Sequence, residues 1–175
     1  MDIVTARLRL DALLPADAPA LLAYRSDPAV SRWQGWVPDS LAAAAEFIAH
    51  QQDAAPDVPG TWWQRAIRLR ATGELIGDVG LHCIDAADVE LGITLAPAQQ
   101  RHGYARDTLE VLLDYAFGGL QKQRALASVA PGNLRCMRLL EGLGMQRTGS
   151  AGHDVLFALQ REAWLAPPAN WDDRG

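Results

Sequence analysis

Between Val89 and Phe117 the apolar pattern changes period once, and that change limits what the chain can fold into. In VELGITL (89–95), Val89, Leu91, Ile93 and Leu95 alternate with Glu90, Gly92 and Thr94, the period of a strand. Leu109, Leu112, Leu113, Ala116 and Phe117 then follow the i, i+3, i+4, i+7, i+8 spacing of an amphipathic helix. Between them lies APAQQRHGYA (96–105), where Pro97 cannot continue a ladder and Gly103 permits a tight turn. A strand is therefore expected to end at Leu95 and a helix to open near Tyr104.

The flanks extend this pattern. TARLRLDAL (5–13) alternates Leu8 and Leu10 against Arg7 and Arg9, a strand with one buried face. Asp17 is placed to cap a first helix that SDP (26–28) ends, and Asp39 or Ser40 to cap a second. On that second helix Leu41, Ala44, Ala45 and Ile48 share a face. WWQRAIRLR, ELIGDVGLHCI and VELGITL, separated by ATG and DAAD, read as three antiparallel strands. After the 104–117 helix come a short strand, ALASVA (125–130), and a helix capped by Asn133. Its apolar set is Leu134, Met137, Leu140 and Leu143, with Gly144 at its C-terminal end. MQRTG and DVLFALQ close as a hairpin. The expected fold class is α/β, a mixed sheet with helices on its faces. One domain over 1–175 is expected, with a core from about 3 to 164 and a tail at 165–175.

Composition narrows the partners. Net charge is −5 and the basic residues are scattered, so no nucleic-acid partner is expected. Every apolar run is interrupted by Arg, Asp, Gly or Pro, so no membrane partner is expected either. Only two cysteines occur, Cys83 and Cys136, without CxxC spacing, which suits a reducing compartment and supplies no zinc site. The opening MDIVTARLRL lacks the layout of a secretory signal. The expected location is cytoplasmic, and no metal is expected.

The 96–106 segment carries the chemistry. The first N–H groups of a helix have no internal partner and carry partial positive charge. Gly103 removes a Cβ from the approach, Ala105 keeps the first turn open, and Arg101 and Arg106 add charge at the mouth. The segment is either a plain strand-to-helix turn or an anion cradle suited to a pyrophosphate. Neither GxxxxGK[ST] nor the dinucleotide fingerprint is present.

QRHGYA (100–105) resembles the Q/R-x-x-G-x-G/A signature of the GNAT superfamily of acyl-CoA-dependent N-acetyltransferases. VELGITLAPAQQ is similar to that family's fourth strand, and APGNLRCMRLLEGLGMQRTG to its second signature. TARLRL, YRSDPAV and the W-Q-G-W run resemble the RimJ/RimL-like branch, which acetylates the N-termini of ribosomal proteins. The likeness runs from about residue 3 to Trp164.

The resemblance implies a mostly antiparallel sheet splayed between its fourth and fifth strands, with acetyl-CoA in the slot and no metal. It places the pyrophosphate on Gln100, Arg101, His102, Gly103, Tyr104, Ala105 and Arg106, and the pantetheine arm along Ile93, Thr94 and Leu95. Asn133 and Cys136 would follow that arm. Asn133 is explained equally by its cap, and Arg135 and Arg138 are either adenosine-phosphate ligands or a solvated face. Trp33 and Trp36 would cover the acceptor; Trp62 and Trp63 are read as core. Glu90, an acid beside a glycine on a strand face, is the candidate general base. The family's usual tyrosine general acid is replaced by Leu140. The implied activity is N-acetyl transfer by direct attack in a ternary complex. The acceptor is a peptide amine or, alternatively, a small-molecule amine. A non-catalytic acyl-CoA-binding module is the remaining alternative, and a monomer or homodimer is expected.

Overall fold

The three alternating runs form one antiparallel meander, in a computed structural model that describes residues 2–166. β1 (Ile3–Val4) and β2 (Leu8–Asp11) form a hairpin at the edge, and β2 pairs with β3 (Thr61–Leu69). β3 pairs with β4 (Leu75–Cys83), and β4 with β5 (Asp88–Leu95). Because the N-terminal run makes two strands, the expected fourth strand is β5. The eight-stranded order is β1-β2-β3-β4-β5-β6-β8-β7, with β6 (Arg124–Val129), β7 (Gln146–Ala151) and β8 (Asp154–Gln160). One pair is parallel, β5 with β6, and the intervening helix supplies the crossover that parallel pairing requires.

Neighbours on β3 point to opposite faces, and the core divides accordingly. Ile67 and Trp63 join the helix α4 (Tyr104–Asp114), with Leu109, Leu112 and Leu113 fully buried. Ala66 instead meets α1 (Ala18–Ser26) and α3 (Leu41–His50) through Leu21, Tyr24, Ala44 and Ile48. Helices thus cover both faces, as expected. The short α2 (Pro28–Ser31) is capped by Asp27, whose side chain accepts the Ala29 N–H, and α3 by Ser40, which accepts from Ala43. α4 starts at Tyr104 as its spacing predicts and continues into a π turn at Tyr115–Gly119. α5 (Leu134–Gly142) is capped by Asn133, and α6 (Arg161–Leu165) follows β8. Among the described residues no helix is long and apolar enough to cross a membrane.

Three local expectations are corrected. Asp17 makes no cap bond to α1; its carboxylate accepts the Leu14 N–H at 2.7 Å and two bonds from Arg68 at 2.6 and 3.0 Å. A buried guanidinium is a stronger attractor than a helix end. On α3, Leu41 and Ala45 are exposed, because the buried stripe is the narrower set Ala44, Phe47 and Ile48. Leu134 is also exposed, since it opens the first turn of α5 beyond the edge of the core. Of the tail expected at 165–175, residues 167–175 lie outside the described residues.

Candidate active site

β5 and β6 pair only over Asp88, Val89 and Glu90, against Arg124, Ala125 and Leu126. Beyond Glu90 the two strands part, so residues 91–95 keep β4 on one side and, among the described residues, no strand on the other. Two cavities open there, of about 810 and about 840 Å³. They share Arg32, Trp33, Gln34, Ile93, Thr94, Asn133 and Cys136, so they are two halves of one passage through the splayed sheet.

The smaller half holds the strand-to-helix loop. Leu95, Gln100, Arg101, Gly103, Ala105 and Arg106 line it, together with Ile93, Thr94, Asn133 and Cys136 from the predicted set. Arg135 joins them and donates to Gln100 Oε1 at 2.7 Å. Arg138 lines neither half. Gly103 has φ 83° and sits at the N-cap of α4, a conformation in which a side chain is strained. The N–H groups of residues 101–106 donate to no acceptor among the described residues, and four of these residues, Arg101, Gly103, Ala105 and Arg106, line the cavity, where free amides suit an anion. His102 and Tyr104 do not line the cavity. Their rings stack at 5.6 Å, and Tyr104 packs against the core. Arg106 pairs with Glu110 at 2.7 Å, one turn along α4.

The larger half is built from side chains of several elements. Trp36 stacks on Phe47 at 4.5 Å, and Arg25 lies 5.3 Å from the Trp36 ring while donating to its carbonyl at 3.3 Å. Arg25 is itself held by Asp78, a fully buried carboxylate that also accepts from Tyr24 at 2.7 Å and from Gln64. Burial works against the Arg25 charge, but Asp78 outweighs it and the guanidinium titrates above its usual range. Burial and then Asp78 push the Tyr24 phenol well up. The Trp33–Trp36 loop is thus anchored to the sheet by a buried ion pair.

Trp62 forms another wall, and here the expectation of core is corrected. Trp63 is 4% exposed in the core, but Trp62 is 39% exposed and lines the larger half. Adjacent residues on a strand cannot share a face. The Trp62 indole stacks on His82 at 5.0 Å and lies over Gly80 and Gly92. A Cβ on Gly80 would come within 2.0 Å of Gln64 Oε1 and 2.9 Å of Trp62 Cε3, so a side chain there would displace both. Glu90 is partly buried on the same sheet face, and its Oε2 lies 3.5 Å from His82 Nδ1. Asp154 also lines this half and accepts from Ser128 at 3.0 Å.

At the junction stand Thr94, which donates to Gln34 Oε1 at 3.0 Å, and Cys136, whose thiol burial raises to about 11. Such a thiol is held in its inert, protonated form. Asn133 accepts the Cys136 N–H at 3.2 Å, so its cap is real and its cavity-lining position is additional. Leu140 is buried and lines the larger half. Sequence reasoning missed Arg25, Asp78, Gln34 and Trp62. The signal for Asp78 is present: a carboxylate inside the apolar run LIGDVGL needs a buried cation.

A mixed sheet splayed between β5 and β6, with helices on both faces, is the fold of acetyltransferases of known structure. The family profile described as an acetyltransferase (GNAT) domain matches residues 7–146, and the chain belongs to that family. The uncharacterised N-acetyltransferase p20 of Bacillus licheniformis is 30% identical over 150 residues, covering 84% of this chain and 83% of its own. A GNAT-family acetyltransferase crystal structure from Bacillus anthracis superposes with a TM-score of 0.81 at 21% identity, over 93% and 99% of the two chains. A proposed ribosomal-protein-serine acetyltransferase from Vibrio cholerae does so at 0.76 and 22%, over 91% and 97%. The chain is thus an acetyl-CoA-dependent N-acetyltransferase.

Proposed function

We propose that the chain moves an acetyl group from acetyl-CoA to the primary amine of a protein or peptide N-terminus in the cytoplasm. We treat residues 1–175 as one domain acting as a monomer or homodimer. The observation that carries the reading is the size and lining of the acceptor half. At about 840 Å³ it is slightly larger than the donor half, at about 810 Å³, and exceeds what a bare amine fills. Trp33, Trp36 and Trp62 offer flat apolar walls, and Gln34, Gln51 and Gln64 offer amides suited to a peptide backbone. The Vibrio cholerae neighbour's name agrees, but at 22% identity that likeness speaks for the fold alone.

The residues present fit acetyl-CoA: four cavity-lining residues with unbonded amides, three arginines at the loop, and an uncovered strand edge. When bound, acetyl-CoA supplies the activated thioester acyl group. Arg101, Gly103, Ala105 and Arg106 hold its pyrophosphate, and Ile93, Thr94 and Leu95 pair with its amide arm as an added strand would. Asn133 and Cys136 flank that arm. Glu90 takes the proton from the acceptor ammonium, directly or through a water, so that the free amine attacks within a ternary complex. A backbone N–H of β5 donates to the thioester oxygen. Leu140 has no proton to give, so water reprotonates the departing thiolate.

Thiol release from acetyl-CoA, followed with a panel of N-terminal peptides and small amines, tests the reading. Turnover with peptides supports it. Turnover confined to small amines overturns the peptide reading in favour of a small cationic acceptor, the alternative that Glu90 and Asp154 in one aromatic-lined space also suit. Coenzyme A binding with no turnover on either class overturns both.

A further inference from the structure

We infer that Arg7 is the positioning residue that holds the pyrophosphate loop in its binding shape; this rests on the cofactor reading above. The loop has few bonds of its own. Gln99 and Gln100 N–H groups turn back to Ala96 and Pro97, and Gln100 Nε2 donates to Leu95 O at 3.1 Å. Beyond that point Arg101 (φ 70°) and Gly103 (φ 83°) both adopt left-handed backbone, which for Arg101 is a costly conformation. Something outside the loop must hold it.

Arg7 does so from about a hundred residues away in sequence. Its Nη1 donates to the His102 carbonyl at 2.9 Å, and its Nε and Nη2 each reach Asp107 Oδ2 at 2.8 Å. Its guanidinium lies 4.9 Å from the Tyr104 ring centroid. One fork therefore ties the last loop residues to the first turn of α4. Arg7 lines neither cavity half, so it grips the loop from behind.

The direction of that grip matters. In a trans peptide the C=O and the following N–H point opposite ways. Turning the His102 carbonyl toward Arg7 turns the Gly103 N–H away from it, and Gly103 lines the donor half. Gly103 is also the residue that lets Arg7 come close, because a Cβ there would stand 3.0 Å from Arg7 Nη2.

Arg7 is fixed in turn. Thr5 Oγ1 accepts the N–H groups of Arg7 and Leu8, at 3.2 and 2.9 Å. The Arg7 carbonyl accepts from Arg70 N–H at 2.9 Å, and Arg70 Nη1 donates to the Thr5 carbonyl at 2.7 Å. The T-A-R-L-R-L opening thereby supplies both an edge strand and the clasp of a distant loop.

The test compares Arg7→Met and Arg7→Lys with the unmodified chain. Coenzyme A affinity is read by calorimetry, and donor KM with acetyl-CoA and with acetyl-pantetheine, which has no pyrophosphate. Arg7→Met should weaken coenzyme A about tenfold and raise the acetyl-CoA KM by the same factor. Its kcat and its KM for acetyl-pantetheine should stay unchanged, and Arg7→Lys should recover part of the loss, because an ammonium keeps the Asp107 pair but not the fork. Unchanged coenzyme A affinity, or an equal loss on both donors, overturns the inference. If Arg7→Met does not fold, Asp107→Asn loosens the same clasp from the other end. It also removes a negative charge beside the anion site, so weaker coenzyme A binding there supports the clasp and unchanged or tighter binding overturns it. Failure of the unmodified chain to bind coenzyme A would instead overturn the cofactor reading.

Discussion

The two halves of the passage are built from different materials. The proposed donor half is mostly backbone: the amides of Arg101, Gly103, Ala105 and Arg106, the unpaired edge of β5, and arginines that reach its mouth. The acceptor half is mostly side chain: three tryptophans, a phenylalanine, two carboxylates and the anchored Arg25. A backbone site comes from one stretch of chain and binds whatever has phosphate and amide groups. A side-chain site is assembled from distant elements, so each element can change what is recognised. The difference predicts that single substitutions will damage one half while sparing the other.

The largest effect should come from Asp78→Ala. Asp78 is fully buried under Arg25, Tyr24 and Gln64, so its removal leaves an uncompensated buried guanidinium. Loss of one partner of such a pair costs about 3–5 kcal/mol, visible in urea or thermal unfolding. Among folded molecules the Trp33–Trp36 loop loses its anchor, so acceptor KM rises while coenzyme A affinity measured by calorimetry holds. Equal loss on both sides would break the division into halves.

Two smaller substitutions separate the halves directly. Glu90→Gln should lower kcat about a hundredfold in thiol-release assays, within the usual range for a general base, and leave coenzyme A affinity intact. Gly103→Glu should do the reverse. It forces a side chain into φ 83°, places a carboxylate at the anion cradle and pushes on Arg7. Coenzyme A affinity should fall about thirtyfold by calorimetry, with acetyl-pantetheine turnover retained.

The same contrast explains what the sequence discloses. The donor half is legible because its parts are contiguous: Pro97, Gly103 and the helical spacing from Leu109 lie within one window, and α4 begins where they predict. Within that window the inside and outside of the loop are not legible. His102 and Tyr104 fall behind it because the His102 carbonyl is claimed by Arg7, a partner 95 residues away. In the acceptor half almost every relation is of this kind. Arg25 meets Asp78 across 53 residues, and outside that half Asp17 likewise abandons its helix cap for Arg68 across 51. Local propensity has no access to such pairings, because a buried charge chooses the strongest partner in space.

The pair Trp62 and Trp63 carries the smallest prediction and the sharpest form of the comparison. Two identical side chains stand side by side on β3, yet strand alternation sends one into the core beside α4 and the other into the acceptor half. Composition cannot separate them; only the face that α1 and α3 leave uncovered does. Trp62→Ala removes a wall stacked on His82 and exposed to the cavity, so acceptor KM should rise about tenfold with donor KM and melting temperature nearly unchanged. Trp63→Ala, the control on the opposite face, should lower the melting temperature and spare both KM values. If Trp62→Ala instead lowers stability and leaves acceptor KM alone, the indole belongs to the packing of the sheet, and the acceptor wall must be sought in Trp33 and Trp36 alone.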